Sequence, residues 1–225
     1  MANVLLGATG SVAAIRVPAL HDALSAAGHS VKVVATHAAT YFFDVAAIGN
    51  PRHDTSSVRD PERVILDEDE WPGHAAGRRY QRGDEVLHIA LRKWASVLVL
   101  APLDANTLAK LAVGLCDNCL TCVWRAWDLA RPVVLAPAMN TLMWEHPFTR
   151  RHLKAIAADT GAGHVPGHLD DVQLIAQIND RSRTLRIVPP QVKQLACGDT
   201  GTGGLAEVSD IVNAVNDMLQ RIAAT

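Results

Sequence analysis

The apolar positions of this chain recur with two different periods, and their alternation predicts its elements. Val4-Leu5-Leu6, Val31 to Ala35, Val97 to Ala101, Val133 to Ala136 and Leu185 to Val188 are short continuous apolar runs. Such runs are what strands need when both faces of a parallel sheet are covered. Between them the apolar residues return at helical spacing: Val12 to Ile15 with Leu20 and Leu24, one side of Val86 to Trp94, Leu108 with Leu111 and Leu115, Phe148 to Ala158, and a closing helix over Ile211 to Ile222. A further helix begins through Ala38, Ala39 and Phe42, and Val172 to Ile178 is a weak element. Strand and helix alternating with one polarity predict an α/β fold with an open parallel sheet and helices on both faces.

Residues 49–85 break the rhythm, with prolines at 51, 61 and 72, many charges and one apolar island, Val64-Ile65-Leu66. They are expected to form a surface excursion with at most one edge strand inside a single domain spanning 1–225, because the alternation resumes afterwards. A second irregular stretch, Leu195 to Gly204, is too rich in glycine for a core element and is expected to be a mobile loop.

Composition narrows the picture. A chain of 225 residues suits one α/β domain, which buries roughly 70–75% of its extended-chain surface. With 21 basic and 23 acidic residues, a net charge of -2 gives no electrostatic case for nucleic acid or a membrane as partner. The start, MANVLLGATG, has no basic leader, and no apolar run approaches the roughly 20 residues that span a bilayer. The expected location is cytoplasmic. Three of the four cysteines, Cys116, Cys119 and Cys122, form CxxCxxC. Thiolates at that spacing can wrap zinc or an iron–sulfur cluster. Here they run through a helical pattern with one cysteine elsewhere, so they are expected to be reduced, small buried hydrophobes with no metal.

Four strand-to-helix junctions carry small or polar groups. Gly7 to Ser11 is a tight glycine turn that suits a phosphate or serves as a plain connection; Thr9 and Val12 stand where a dinucleotide fingerprint needs glycine. Thr36-His37 follows the second strand, where the hydroxyl caps a helix or meets a ligand. Asp104 to Thr107 and Ala138 to Asn140 follow later strands, with helix capping again the competing role. All four fall on one edge of a parallel sheet, which predicts a mononucleotide-sized ligand.

The motifs GSVAAIR, LHIALRKWASVLVLAPLDANTLAKLAVGLCDN, TCVWRAWD, APAMNTLMWEHPFT and LACGDTGTGGLAE, in that order from near the start to Glu207, carry a resemblance. The chain resembles the stand-alone eukaryotic phosphopantothenoylcysteine decarboxylases of the flavin-dependent cysteine decarboxylase family. That resemblance implies a three-layer, Rossmann-like (flavodoxin-like) fold and FMN held by Gly10, Ser11, Val12, Thr36, His37, Asp104, Ala105, Asn106 and Thr107, with Ala138 and Met139 near the ring. It implies that His88 is the essential histidine, that Asn140 holds the substrate carboxylate, that Cys197 is the acid in a flap over 191–206, and that Gln194, Ala196 and Leu205 contact substrate. It also implies a homotrimer with each flavin at a subunit boundary, so that His88 serves a flavin held by its neighbour.

These residue types match the chemistry of oxidative decarboxylation. Loss of carbon dioxide from a cysteine needs an electron sink, which oxidation of the thiol to a thioaldehyde provides. Imidazole is a base or an orienting group near neutral pH. An amide binds a carboxylate without adding a charge that opposes its loss, and a protonated thiol can donate to the enethiolate. Two departures from the family pattern stand out: Gln194, beside Lys193, replaces a basic residue, and an insertion of about 20 residues is expected around 168–184. Fungal relatives that inhibit a phosphatase rely on long tails, whereas this chain stops at Ala224-Thr225, and relatives that release an unreduced peptide enethiol would not need Cys197. The decarboxylase is therefore the expected activity.

Overall fold

Six apolar runs pair side by side into one sheet: β1 (Asn3–Ala8), β2 (Ser30–Ala35), β3 (Val64–Ile65), β4 (Val97–Leu103), β5 (Val133–Pro137) and β6 (Leu185–Ile187). Every pairing is parallel, in the order β3-β2-β1-β4-β5-β6. The computed structural model describes residues 1–48, 64–71, 73–166, 168–194 and 200–224. The helices are α1 (Val17–Ala26), α2 (Leu87–Trp94), α3 (Ala105–Val113), α4 (Cys119–Arg125), α5 (Thr141–Glu145), α6 (Pro147–Ala157), α7 (Asp171–Arg181) and α8 (Val208–Ala223).

Side chains alternate across each strand, and the alternation divides the core in two. Val4, Leu6, Val33, Val99 and Val134 point to the layer of α1 and α8, where they meet Leu20, Leu24, Ile211 and Val215. Leu5, Val34, Leu98, Leu100 and Leu135 point the other way, to Leu91 of α2, Leu108 of α3, Leu120 of α4, Leu153 of α6 and Ile178 of α7. The expected three-layer, Rossmann-like arrangement is therefore present. No helix of the described residues is long and apolar enough to cross a membrane.

Local details differ from the sequence expectations for identifiable reasons. Val172 to Ile178 lies within an 11-residue helix, because the Asp170 carboxylate accepts the Gln173 N–H at 2.8 Å and Leu174, Ile175 and Ile178 supply a buried stripe. The segment expected as an insertion thus contributes core side chains. The helix expected after Thr36 is a short 3-10 turn, His37–Tyr41. Val12–Arg16 is also a 3-10 turn and leads directly into α1. The glycine-rich loop is partly regular: Thr200–Gly204 forms β8, antiparallel to β7 (Gln191–Gln194). Glycines without side chains can pack where a larger residue cannot, and the cavity described below uses that.

Removing the Asp170 cap should cost about 1 kcal/mol. Asp170→Ala is therefore expected to lower the urea midpoint by a corresponding amount with unchanged cooperativity, and an unaltered midpoint would mean that α7 does not depend on its cap.

Candidate active site

Parallel strands deliver every following junction to the same edge. At the boundary between β1 and β4, where the chain order reverses, Thr9 is fully buried. Its hydroxyl donates to the Pro102 carbonyl at 2.8 Å and accepts the Asp104 N–H at 2.7 Å. This holds the turn after β1 against the turn after β4. Asp104 in turn caps α3, its carboxylate accepting the Thr107 N–H at 2.7 Å. Ala138, after β5, donates its N–H to the Leu103 carbonyl at 2.9 Å.

These junctions enclose a cavity of about 530 Å³ lined by Gly10, Ser11, Val12, Asp104, Ala105, Asn106, Ala138, Met139 and Asn140. Ser11 accepts the Ala13 N–H at 3.3 Å. Asn140 caps α5, its Oδ1 accepting the Leu142 N–H at 2.9 Å. A capping role and a place on the cavity wall therefore coexist in Asn140, as they do in Asp104.

The β7–β8 hairpin supplies the remaining wall through Lys193, Gly203, Gly204 and Leu205. Met139 donates its N–H to the Gly203 carbonyl at 2.9 Å. Gly203 has φ +147°, and a Cβ there would lie 2.2 Å from the Met139 oxygen. One at Gly201 would lie 2.4 Å from Thr141 Oγ1. Only glycine fits at that approach. Charge fixes the base of the hairpin: Glu207 accepts from Lys193 at 2.6 Å and from Arg16 at 3.0 Å. Lys193, and then Arg16, hold its carboxyl below the ordinary carboxylate range.

The other predicted residues are placed differently. Thr36 is buried at the end of β2, and its Oγ1 has no hydrogen-bond partner among the described residues. His37 is exposed and borders a separate depression with Phe43 and Asp44. Thr107 is buried under the α3 cap. His88 does not line the cavity; it lies in the first turn of α2, which packs on the sheet face opposite α1. There its Nδ1 meets Glu70 Oε1 at 2.5 Å. Glu70 is only 4% exposed although it lies in the stretch expected to be a surface excursion. Ala196 and Cys197, and the side chain of Gln194, lie outside the described residues.

The cysteine expectation needs correction. Cys119 is buried, but Cys122 is half-buried and Cys116 exposed, because Gly114 ends α3 and Asn118 caps α4, leaving Cys116 in the turn between them. Burial pushes the Cys119 thiol up strongly and the Cys122 thiol up to about 11. Among the described residues no group of three His, Cys, Asp or Glu side chains is placed to hold a metal ion.

Sequence reasoning did not single out Arg16, Met143 or Gly203 as cavity residues. Arg16 ends a motif whose glycine and serine drew attention first, and the part played by Gly203 depends on a contact 64 positions away, with Met139.

Comparisons with known proteins agree with this fold. A family described as Flavoprotein matches residues 1–220. The phosphopantothenoylcysteine decarboxylase of Oryza sativa subsp. japonica is 44% identical over 215 residues, covering 95% of this chain and 79% of that protein. A solved cysteine-to-serine mutant of a PPC decarboxylase, complexed with pantothenoylaminoethenethiol, superposes with TM-score 0.74 at 40% identity, covering 97% of this chain and 98% of that one. The FMN binding protein AtHal3 gives TM-score 0.71 at 41% identity, covering 97% of each chain.

The close approach at Gly203 makes a direct prediction. A methyl group there has no room beside the Met139 carbonyl, and overpacking of this kind costs about 1–3 kcal/mol. Gly203→Ala should undock the hairpin, so that amide exchange across Gln191–Gln194 and Thr200–Gly204 accelerates while β1, β4 and β5 stay protected. Unchanged hairpin protection would contradict the contact.

Proposed function

Because the chain belongs to the Flavoprotein family, we propose that it is an FMN-dependent decarboxylase converting phosphopantothenoylcysteine to phosphopantetheine in coenzyme A biosynthesis. The observation that carries this reading is the single cavity in which the junctions after β1, β4 and β5 meet the glycine hairpin. The residues present fit the cofactor. The Thr36 hydroxyl, buried without a partner among the described residues, is the kind of donor that a phosphate oxygen satisfies. Ser11, Asp104 and Asn106 give the cavity a polar wall, with Gly10, Val12 and Ala105 between them, and Ala138 and Met139 give an apolar one. Among the other expected FMN contacts, Thr107 acts through the α3 cap and His37 from its exposed position beyond β2.

When bound, FMN supplies the two-electron exchange that takes the substrate thiol to the thioaldehyde level and later returns a hydride. Everything else falls to the chain. Asn140 holds the substrate carboxylate by its amide, a neutral donor that does not oppose the departure of carbon dioxide. His88 takes up or orients the thiol proton. After carbon dioxide leaves, the Cys197 thiol protonates the enethiolate, and it stands in the flap over 191–206 whose anchored end is the β7–β8 hairpin. The PPC decarboxylase mutant complexed with pantothenoylaminoethenethiol carries a serine in place of a cysteine, and an enethiol is the species expected when a final proton donor is lost. Gln194, Ala196 and Leu205 complete the substrate side, and Lys193, which lines the cavity, takes the part of the basic residue absent at Gln194.

The working form is a cytoplasmic homotrimer of single-domain chains. Val12, Ile15 and Met143 line the cavity yet remain 45%, 60% and 52% exposed, an apolar rim suited to a second copy. His88 then acts at the cavity of an adjoining subunit. The free thiols of Cys116, Cys119 and Cys122 suit a reducing compartment.

The purified protein should bind FMN stoichiometrically and be yellow; a preparation that stays colourless after reconstitution would contradict the reading. His88→Asn should retain FMN while kcat falls about 10²–10⁴-fold, and normal turnover would remove His88 from the mechanism. Cys197→Ser should release the unreduced enethiol, identified by mass spectrometry, and normal product at the normal rate would remove Cys197 as the acid.

A further inference from the structure

Glu70 is the one buried charged side chain of the 3-10 turn Asp67–Glu70. Withdrawing a carboxylate from water costs several kcal/mol unless it is paired and hydrogen-bonded, and Glu70 spends its lone pairs almost wholly on one residue. Oε1 meets His88 Nδ1 at 2.5 Å, and Oε2 accepts the His88 backbone N–H at 3.2 Å. Ring and main chain are gripped together.

The turn is itself braced. Asp67 Oδ1 accepts the Cys119 N–H at 3.0 Å, and the Cys119 thiol, kept protonated by burial, donates toward Glu70. These contacts tie the acidic turn to the first residues of α4, against which α2 packs. The imidazole nevertheless remains 22% exposed, and Glu70 also lines an open cavity of about 390 Å³ with Trp71, His74, Tyr80 and Val86. A histidine serving only as a packing residue would need neither the paired carboxylate nor that access.

We propose that Glu70 is the positioning residue of His88: it fixes the ring proton on Nδ1, leaves Nε2 bare to accept the substrate thiol proton, and stabilises the imidazolium formed when that proton arrives. The proposal rests on the decarboxylase reading for its substrate, but not for its geometry. The step balances: the thiol S–H bond breaks and its proton forms the Nε2–H bond, while the Cβ hydrogen leaves with an electron pair to the flavin oxidant and carbon–sulfur double bonding results. A carboxylate behind imidazole is a recurring device for setting tautomer and basicity.

Two measurements test it. In the FMN-loaded protein labelled with ¹⁵N-histidine, the signals lost in His88→Asn should be those of a ring protonated on Nδ1 with a bare Nε2; a proton on Nε2 overturns the proposal. This reading needs no turnover and no Glu70 variant, so it stands or falls whether or not the chain decarboxylates phosphopantothenoylcysteine. In kinetics, Glu70→Gln should lower kcat about 10²-fold or more, leave KM within about threefold and leave the flavin spectrum unchanged. The double variant Glu70→Gln/His88→Asn should be no slower than His88→Asn alone, because residues that act as a unit are not additive. Unchanged kcat in Glu70→Gln, or losses that multiply in the double variant, would show that Glu70 only supports the fold. Should Glu70→Gln fail to fold, the tautomer measurement decides.

Discussion

The site depends on the hydroxyl of Thr9. One buried side chain donates to the Pro102 carbonyl and accepts from the Asp104 N–H, joining the ends of β1 and β4 at the point where the sheet order reverses. Without that hydroxyl the Asp104 N–H would lose its partner, a loss that costs about 1–3 kcal/mol, and the Pro102 carbonyl would keep only the Thr9 N–H. More importantly for function, the turns carrying Gly10 and Asp104 would lose their fixed separation. A parallel sheet brings polar junctions to one edge, and Thr9 turns the central two into the facing walls of one cavity.

The third wall is a hairpin that uses absence of side chains as a fitting device. Gly201 and Gly203 let β8 lie against Met139 and Thr141 at distances that no Cβ tolerates, while Glu207 ties Lys193 to Arg16 at the hairpin base. The main-chain bond from Met139 to Gly203 therefore links the loop after β5 to the second strand of the proposed flap. Neither His88 nor Glu70 lines this cavity, and that separation is the chemical rationale of the proposed homotrimer. A protein whose cavity and base do not meet within one chain can bring them together across a subunit boundary.

Much of this was legible in the sequence because the governing signals are local. Continuous valine and leucine runs identified the sheet, and polar residues immediately after them identified the cavity-lining residues Gly10, Ser11, Asp104, Asn106 and Asn140. What escaped is non-local. Glu70 sits in the run Asp67-Glu68-Asp69-Glu70, where composition favours solvent, and its burial is decided by a histidine 18 positions away. The glycines of β8 look like a loop because a strand normally needs side chains to pack, yet here the lack of them makes the close approach possible. α7 looked weak because its polar positions diluted the pattern, although the Asp170 cap and three buried residues suffice. Cys116 left the expected helix because Asn118 starts a new one.

The proposed chemistry puts oxidation and reduction in the same site, so that decarboxylation is redox-neutral overall. Anaerobic turnover of excess phosphopantothenoylcysteine by the FMN-loaded chain, with no external electron acceptor, tests this most directly. Many turnovers are expected, with equal amounts of carbon dioxide and phosphopantetheine and flavin that ends oxidised. Turnover that stops after one equivalent per flavin, or that proceeds only when an acceptor is added, would contradict it.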